Sequence, residues 1–509
     1  MDKIVVLDFG SQYTHLICRR IREFKVYAEL VPYNISADEL KSMEPKGIIF
    51  SGGPASVYEE NAPICDRKIF DFNLPILGIC YGHQMLVHSF GGKVRRANRE
   101  YGSADLIIDD STDLFSGLDS KMRCWMSHGD AADQLPAGFK AIAHTSNSFA
   151  AAIADKDRKF FGIQFHPEVV HTERGMEVLK NFVLKVCKAK PEWDMKNFIE
   201  RTVEQIREKV GDETVLCAAS GGIDSTVTAL IMHKAVGDRL RCVFVNHGLL
   251  REGEEEEVVK MFKHYFGIRL IYVDAEERFL RKLQGVTDPE RKRLIIGEEF
   301  ARIFEEVARE NGPFQWLAQG TLYPDVIESG ISKGPAAVIK SHHNVAGLPE
   351  ELDFKVIEPL RNLYKDEVKE VGRLLGMPER LINRHPFPGP GLAVRIIGEV
   401  TKEKINICKK ASMIVEDELM KAGLYDKVWQ AFAVVGDDKA VGVLGDERVY
   451  GNMVTIRIVE SVDAMTADWA RLPHELLERI SNRITNEIEG VAWVSYAISS
   501  KPPATIEPQ

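Results

Sequence analysis

Three patterns that often assign a function are absent from this chain of 509 residues. None of its eight cysteines forms a C-x-x-C pair, which argues against a disulfide framework or a zinc ribbon and is typical of the reducing cytoplasm. No G-x-x-x-x-G-K-S/T motif occurs, so an ordinary P-loop is excluded. The longest stretch without a charged residue, 72–92, is interrupted by proline, glycine and histidine, so we expect a cytoplasmic protein without a membrane span.

An excess of positive charge is also lacking. The chain has 66 basic and 76 acidic residues, a formal net charge of −10, which argues against a long nucleic-acid interface but not against a small anionic ligand. The opening segment "MDKIVVLDFG" sets only four apolar residues between charged ones, which predicts a buried strand rather than a signal peptide.

What is present is a repeated alternation of short apolar runs and helical stretches. Hydrophobic residues make up 45% of the chain, enough for several cores. The alternation predicts two consecutive α/β domains, at 1–190 and 191–387, each built on a largely parallel sheet. The segment "RHPFPGPGLAV" interrupts the helical pattern, and a small α+β domain is expected at 388–509.

The chemistry of the first block centres on Cys80. In "PILGICYGHQMLVHSFGG" an apolar strand ends just before this cysteine, and Gly82 permits a tight turn into a helix, as in a nucleophile elbow. A thiol at a helix N-terminus is favoured as the thiolate. A lone cysteine is, however, more often a buried structural residue.

Two further segments weaken the structural interpretation of Cys80. In "FFGIQFHPE", His166 follows a strand and could accept the thiol proton, while Glu168 could orient its ring. The segment "SGGP", which contains Gly53, follows the strand "KGIIF" and is either an ordinary turn or a source of amide groups for an oxyanion.

These segments resemble the class I glutamine amidotransferases, through "GICYGHQ" and "QFHPE". The resemblance implies that Cys80 forms a glutamyl thioester, that His166 is the general base and that Glu168 orients it. It also implies an oxyanion hole made by the backbone amides near Gly53 and Tyr81. "MSHGD", 126–130, is similar to the same family and is assigned no more than glutamine-side or interdomain contacts.

In the second block, "LCAASGGIDSTVTALIM" runs a strand through a polar turn into a helix. Successive amides and hydroxyls at a helix N-terminus can surround a diphosphate without a lysine, although a capped turn has the same composition. The loop resembles the PP-loop of ATP pyrophosphatases, which implies ATP binding by Ser220, Gly221, Gly222, Ile223, Asp224 and Ser225. Asp224 is then a candidate ligand for Mg²⁺ bound with ATP, because a hard cation bridging phosphates prefers carboxylate oxygen.

Further segments extend the resemblance over the whole chain to the GMP synthetase family. They are "GTLYPDVIES", "IKSHHNVAGLP", "HPFPGPGL" and "KPPATIE". The family implies formation of GMP from XMP, ATP and glutamine through an adenylated XMP, and a homodimer built by the C-terminal domain. Its site residues carry over as acidic nucleotide-site residues Asp325 and Glu328, lid residues Lys340, His342 and His343, and XMP-binding residues Lys501, Ile506 and Glu507.

Some positions depart from this pattern or carry no clear role. The family usually has Asp-Asn-Gly where this chain has Asn246, His247 and Gly248, so a role that needs a carboxylate at position 246 is in doubt. Arg457 is either a further cation for the nucleotide or part of a salt bridge at the edge of the core.

Three other functions share part of this pattern. A glutamine-dependent NAD synthetase shares "SGGIDS" but ordinarily has a different glutaminase without "QFHPE". A tRNA-modifying ATP pyrophosphatase calls for a basic surface or paired cysteines, and neither is present. A regulatory nucleotide-binding protein without catalysis would be expected to lose Cys80, His166 or Asp224, and all three are present.

Overall fold

The computed structural model describes residues 1–326, 354–444, 446–461 and 466–509, without the side chains of 97–99 and 444. The described chain forms two compact units, Met1–Phe198 and Ile199–Gln509. The boundary lies near the start of helix α5, and each unit has its own sheet structure. The α/β class predicted from the sequence is confirmed, while the finer division at residue 387 stays a prediction.

A single mixed sheet organises the first unit. Its strand order is β2-β1-β3-β4-β9-β8-β7-β5-β6, parallel from β2 to β9 and antiparallel beyond. Strands β3 and β4 are buried along their whole length, as expected for apolar runs covered on both faces of a sheet. The strands are β1 Lys3–Asp8, β2 Tyr27–Pro32, β3 Gly47–Phe50, β4 Ile76–Ile79, β5 Lys93–Ile108, β6 Lys121–Gln134, β7 Lys140–His144, β8 Ala152–Asp155 and β9 Phe160–Ile163.

Helices α1 to α4 belong to the first unit, and local sequence sets where they begin and end. The Ser36 side chain accepts a hydrogen bond from the Glu39 amide and caps α2. Helix α3 is buried over most of its surface because it follows β4 directly beneath the cavity described below. The helices are α1 Thr14–Glu23, α2 Ala37–Ser42, α3 Tyr81–Ser89 and α4 Gly175–Lys180.

The second unit opens on a parallel sheet. Among the described residues its strand order is β12-β11-β10-β13-β14, so the winding direction reverses at β10. Open sheets of this kind bind ligands at the carboxyl ends of the strands beside such a reversal. The strands are β10 Val215–Ala218, β11 Leu240–Asn246, β12 Leu270–Asp274, β13 Trp316–Ala318 and β14 Lys355–Ile357.

Long amphipathic helices cover this sheet. Helix α9 begins with Pro289, and the Asp288 side chain caps it by accepting from the Arg291 amide. Described helices of this part are α5 Met195–Val210, α6 Ile223–Val236, α7 Glu254–Lys260, α8 Glu276–Leu283, α9 Pro289–Asn311, α10 Lys365–Leu374 and α11 Glu379–Ile382.

A second sheet closes the unit. Strands β15 and β16 form a long antiparallel pair, with β17 and β18 on β16 and two helices packed beside them. One cluster of buried apolar side chains runs from Leu216 on β10 to Val435 on β15, so both sheets of the unit share a core. The elements are α12 Lys402–Lys421, β15 Gln430–Leu444, β16 Glu447–Glu460, β17 Asp468–Trp469, α13 His474–Glu487 and β18 Val491–Tyr496.

A membrane crossing finds no support in these elements. Among the helices of the described ranges, none combines the length and the apolar character that a span through a bilayer requires.

Candidate active site

A cavity of about 720 Å³ lies in the first unit, at the carboxyl ends of its parallel strands. The predicted nucleophile Cys80, the predicted base His166 and the predicted oxyanion-hole residues Gly53 and Tyr81 all line it. Glu168 lies behind His166 and is buried. The structure therefore brings these five residues together.

Cys80 stands at a strained turn between β4 and α3. Its backbone has φ 51° and ψ −103°, a left-handed conformation that non-glycine residues rarely adopt. The Cys80 amide donates to the Ile163 carbonyl at 2.8 Å, which ties the turn to β9. The thiol is only 5% exposed, and its sulfur lies 3.6 Å from the Ser127 carbonyl oxygen, to which it donates.

Glycines make this turn sterically feasible. A Cβ on Gly78 would overlap the carbonyl oxygen of Gly82, and a Cβ on Gly82 would lie 2.5 Å from the carbonyl oxygen of Phe50. Strand and helix can therefore approach closely enough to present Cys80 only because both side chains are absent.

His166 is held by contacts on several sides. Its Nδ1 lies 2.7 Å from Glu168 Oε1, and its carbonyl accepts from the Thr172 hydroxyl at 2.6 Å. Burial lowers the pKa of His166, but the Glu168 carboxylate and a hydrogen bond with Cys80 outweigh it and raise the pKa to about 11.

The loop after β3 approaches the same histidine. A Cβ on Gly52 would lie 3.2 Å from His166 Cε1, and a Cβ on Gly53 would lie 2.5 Å from the Phe9 carbonyl oxygen. Tyr81 is the first residue of α3, and its hydroxyl donates to the Pro63 carbonyl at 2.8 Å. Gly53 and Tyr81 both line the cavity together with Cys80.

Among the charged residues that line the cavity, Glu59 and Arg96 have no predicted role, and Asp130 belongs to "MSHGD", for which only glutamine-side or interdomain contacts are predicted. Asp130, the last residue of "MSHGD", accepts hydrogen bonds from Ser56 and, at 2.7 Å, from the Tyr58 hydroxyl. Arg96 lines the same cavity. Their opposite charges match the two charged groups of a free amino acid. The sequence pointed to Asp130 through its motif, whereas no motif pointed to Arg96.

A second polar site lies at the carboxyl end of β10, where the parallel sheet reverses. The Ser220 and Ser225 hydroxyls lie 2.9 Å apart, and the Ser220 amide donates to Ser225 Oγ at 3.2 Å. Gly221 has φ +77°, and Gly222 caps helix α6, whose first residue is Ile223. The predicted loop thus forms a strand–turn–helix with polar groups at a helix N-terminus.

Asp224 lies in the first turn of α6 and is paired with a lysine that no sequence motif singles out. Lys365 Nζ, on α10, lies 2.7 and 2.6 Å from the two Asp224 carboxylate oxygens. No local pattern connects two residues that are 141 positions apart. A cationic side chain of another helix therefore lies beside the loop.

The carboxylate of Asp224 fits a magnesium ion that binds together with phosphates. It is partly exposed beside the loop hydroxyls, and Mg²⁺ is commonly held by one or two carboxylates plus substrate phosphate oxygens. Within the described ranges no group of three or more His, Cys, Asp or Glu residues could hold a metal ion by itself. Phosphate oxygens of a bound nucleotide would then serve as further ligands.

The neighbouring predicted residues have defined contacts. Asp325 Oδ2 accepts from the Leu322 amide at 3.1 Å, which caps the helical turn that follows. Asn246 donates to Glu255 Oε2 at 2.8 Å and accepts from the Gly248 amide at 2.9 Å. At position 246, an aspartate would face the Glu255 carboxylate. Glu328, Lys340, His342 and His343 lie outside the described residues.

The C-terminal tail is held against the second sheet. Lys501 exchanges backbone hydrogen bonds with Ala467, and Glu507 forms an ion pair with the buried Arg395 at 2.9 Å. Arg457 donates to the carbonyls of Ser499 and Thr505 at 2.6 and 3.1 Å. These acceptors are main-chain oxygens of the tail, and a role of Arg457 towards the nucleotide stays a prediction.

The other two predicted XMP-binding residues, Ile506 and Glu507, lie near the end of the tail. Ile506 is half-buried next to Glu507, and the Gln430 amide donates to Glu507 Oε1 at 2.6 Å. The Glu507 carboxylate is therefore already engaged by Arg395 and Gln430.

Comparison with known proteins first defines the class of the chain. Residues 5–186 match the family model for class-I glutamine amidotransferases, and residues 417–508 match the model for the GMP synthase C-terminal domain.

Relatives of similar length narrow the class. A GMP synthase (glutamine-hydrolyzing) from Acetivibrio thermocellus is 56% identical over 99% of both chains. One from a Synechococcus species is 53% identical over 99% of this chain and 96% of its own. The crystal structure of a putative GMP synthase subunit from Thermoplasma acidophilum is 34% identical over 37% of this chain and 94% of its own, with a TM-score of 0.34. The chain belongs to the glutamine-hydrolyzing GMP synthase family, which confirms the resemblance predicted from its motifs.

Proposed function

We propose that the chain catalyses the glutamine-dependent amination of XMP. ATP, XMP, glutamine and water are converted to AMP, diphosphate, GMP and glutamate. The observation that carries this proposal is that Cys80 and His166 line one cavity in a chain 56% identical to a GMP synthase over 99% of its length. Each half-reaction has its own candidate residues.

The first half-reaction releases ammonia from glutamine. Asp130 and Arg96 suit the α-ammonium and α-carboxylate groups of the substrate, which would place its side-chain amide towards Cys80. The Cys80 sulfur attacks the amide carbon, and the backbone amides of Gly53 and Tyr81 bind the oxyanion. His166, which has taken the thiol proton, returns a proton to the leaving ammonia. Water then hydrolyses the thioester to glutamate.

The second half-reaction activates XMP at the loop 220–225. The amides and hydroxyls of the loop bind the ATP phosphates, and Lys365 lies close enough to exchange its carboxylate partner for a phosphate. Asp224 would help to hold Mg²⁺ bound with ATP, and the cation would neutralise part of the phosphate charge. The C2 oxygen of XMP attacks the α-phosphorus and releases diphosphate. Ammonia then displaces AMP at C2 to give GMP.

Other predicted contributions belong to the same proposal. Lys501, Ile506 and Glu507 are proposed to bind XMP, and this requires Glu507 to accept a ligand beside Arg395 and Gln430. We also propose a cytoplasmic homodimer. Support for the dimer comes from exposed apolar side chains on one face of the second sheet of the second unit: Val441, Val443, Tyr450 and Trp493.

Two substitutions separate the half-reactions. Cys80→Ala is expected to abolish GMP formation with glutamine and to leave activity with added ammonium, because only the source of ammonia is lost. Asp224→Ala is expected to stop synthesis with either nitrogen source. Synthesis is measured as GMP formed from XMP with glutamine or with ammonium, and adenylation as XMP-dependent release of diphosphate from ATP.

Two lysine variants test the assignment of ATP binding to the loop 220–225. Lys365→Met is expected to raise the KM for ATP at least tenfold, whereas Lys263→Met, which removes an exposed lysine of the same unit, leaves it unchanged.

Equal loss of glutamine-supported and ammonium-supported synthesis in Cys80→Ala would contradict the triad. Diphosphate release that needs a substrate other than XMP would remove the synthase assignment.

A further inference from the structure

Two buried glutamines connect Cys80 to the segment 127–130. Strands β4 and β9 pair Ile79 with Ile163, so the next residues, Cys80 and Gln164, are neighbours. Gln164 is fully buried, and its Nε2 lies 3.7 Å from the Cys80 sulfur. Its Oε1 lies 3.3 Å from Gln84 Nε2. Neither glutamine has a part in the mechanism proposed above.

Hydrogen-bonding partners fix the direction of both amides. Gln84 Nε2 lies 2.7 Å from the Asp130 carbonyl oxygen, which can only accept, so this end of Gln84 must be its NH₂ group. The same NH₂ group faces Gln164, which must therefore present its oxygen to Gln84. Reversing the Gln164 amide would place two NH₂ groups against each other. The NH₂ group of Gln164 is consequently directed at the sulfur.

We propose that Gln164 is a hydrogen-bond donor that holds the Cys80 sulfur in place and stabilises its thiolate form. The proposal rests on the glutaminase function proposed above. The Ser127 carbonyl oxygen, 3.6 Å from the sulfur, can bind only the protonated thiol, whereas an amide NH₂ group binds the thiolate better than the thiol. Gln164 thus favours the thiolate, whereas the Ser127 carbonyl favours the thiol. The hydrogen bond from Gln84 fixes the orientation of the Gln164 amide.

The test measures Cys80 itself rather than turnover alone. Full-length protein is treated with iodoacetamide across a range of pH, and the rate of alkylation at Cys80 is followed by peptide mass spectrometry. The reagent reaches Cys80 through the cavity that this residue lines. Burial raises the pKa of the Cys65, Cys124 and Cys408 thiols to about 12, so these groups react slowly near neutral pH.

Two variants of Gln164 change the donor while keeping the volume. Gln164→Met is expected to lower the alkylation rate at pH 7 and the glutaminase kcat on the order of tenfold, with little change in KM for glutamine, and to move the alkylation midpoint about one pH unit higher. Gln164→Glu is expected to lose more at pH values where its carboxyl is ionised, because the carboxylate then places a negative charge beside the sulfur while it still accepts from Gln84. Ammonium-supported synthesis is expected to persist in both.

Asn181→Leu is the matched control. Asn181 is a buried amide of the same unit, and its Nδ2 donates to the Leu114 and Ser116 carbonyls at 2.8 and 3.0 Å, away from Cys80. It should lower thermal stability without moving the alkylation profile. A Gln164→Met profile that coincides with the wild type overturns the proposal, whatever its stability. A failure of the proposed glutaminase function gives a different result. The wild-type protein would then not hydrolyse glutamine, while the alkylation profile of Cys80 would still change in Gln164→Met.

Discussion

At the scale of single residues, proton chemistry depends on the environment of His166. Its ring is buried, and burial alone would favour the neutral form. The Glu168 carboxylate, 2.7 Å away, reverses this preference together with the hydrogen bond to Cys80. Glu168 therefore determines over what range of pH the imidazole retains a proton for the leaving ammonia.

Replacing that carboxylate tests the dependence on pH. Glu168→Gln lowers the pKa of His166 from about 11, so the proton is lost at a lower pH and the alkaline limb of the glutaminase profile moves downwards. The kcat at pH 7 is expected to fall on the order of 100-fold. Steady-state glutamine hydrolysis from pH 6 to 10 measures both effects, and ammonium-supported synthesis provides the control. An alkaline limb that stays in place would show that Glu168 does not set this pKa.

Some of these residues were predictable and others were not, for reasons of distance along the chain. Cys80 and the loop 220–225 each lie within one strand–turn–helix segment, where local spacing carries the signal. Lys365 meets Asp224 across 141 positions, and Arg395 meets Glu507 across 112, through packing that no local pattern encodes. Gln164 could be related to Cys80 only after the pairing of β4 with β9 was known.

At the scale of elements, the β4–α3 turn shows how packing creates a reactive position. The turn needs a positive φ at Cys80 and two glycines whose missing side chains let strand and helix touch. The strand and helix were evident from the sequence, whereas their separation was not. Close packing, rather than the identity of the cysteine alone, presents the sulfur to the cavity.

Adding one methyl group tests this packing. Gly78→Ala is expected to destabilise the first unit by about 2 kcal/mol, because its Cβ overlaps the Gly82 carbonyl oxygen, and to abolish the glutaminase. Gly297→Ala in helix α9 meets no atom within 4 Å and is expected to be neutral or to stabilise by about 0.5 kcal/mol. Thermal unfolding of both variants provides the comparison. A Gly78→Ala protein that unfolds like the wild type would contradict the close contact.

At the scale of the whole molecule, one apolar face remains exposed on the C-terminal sheet. Val441 pairs with Tyr450 across β15 and β16, so both side chains lie on the same face, and Val443 follows two residues later. Val443 and Tyr450 are 72% and 70% exposed. The Trp493 indole donates to the Val441 carbonyl at 2.9 Å and extends this face onto β18. A face of this composition is typical of a contact between protein chains.

Charge placed on that face should separate the proposed dimer. We expect the wild type to sediment at twice the 57.3 kDa chain mass and a Val443→Asp, Tyr450→Asp double variant at the chain mass itself. Met413→Asp, on an exposed position of α12, is the control and should leave the mass unchanged. Wild-type protein that sediments as a single chain at micromolar concentration would exclude the dimer.

The hydrogen bonds from Arg457 to the tail bear on which sequence changes the tail can accept. Its guanidinium holds the oxygens of peptide bonds at positions 499 and 505, which every amino acid possesses. Exchanging Ser499 or Thr505 for another residue therefore leaves those anchoring points available. The backbone of the tail should therefore keep its course when Ser499 or Thr505 is exchanged, but not when Arg457 is lost.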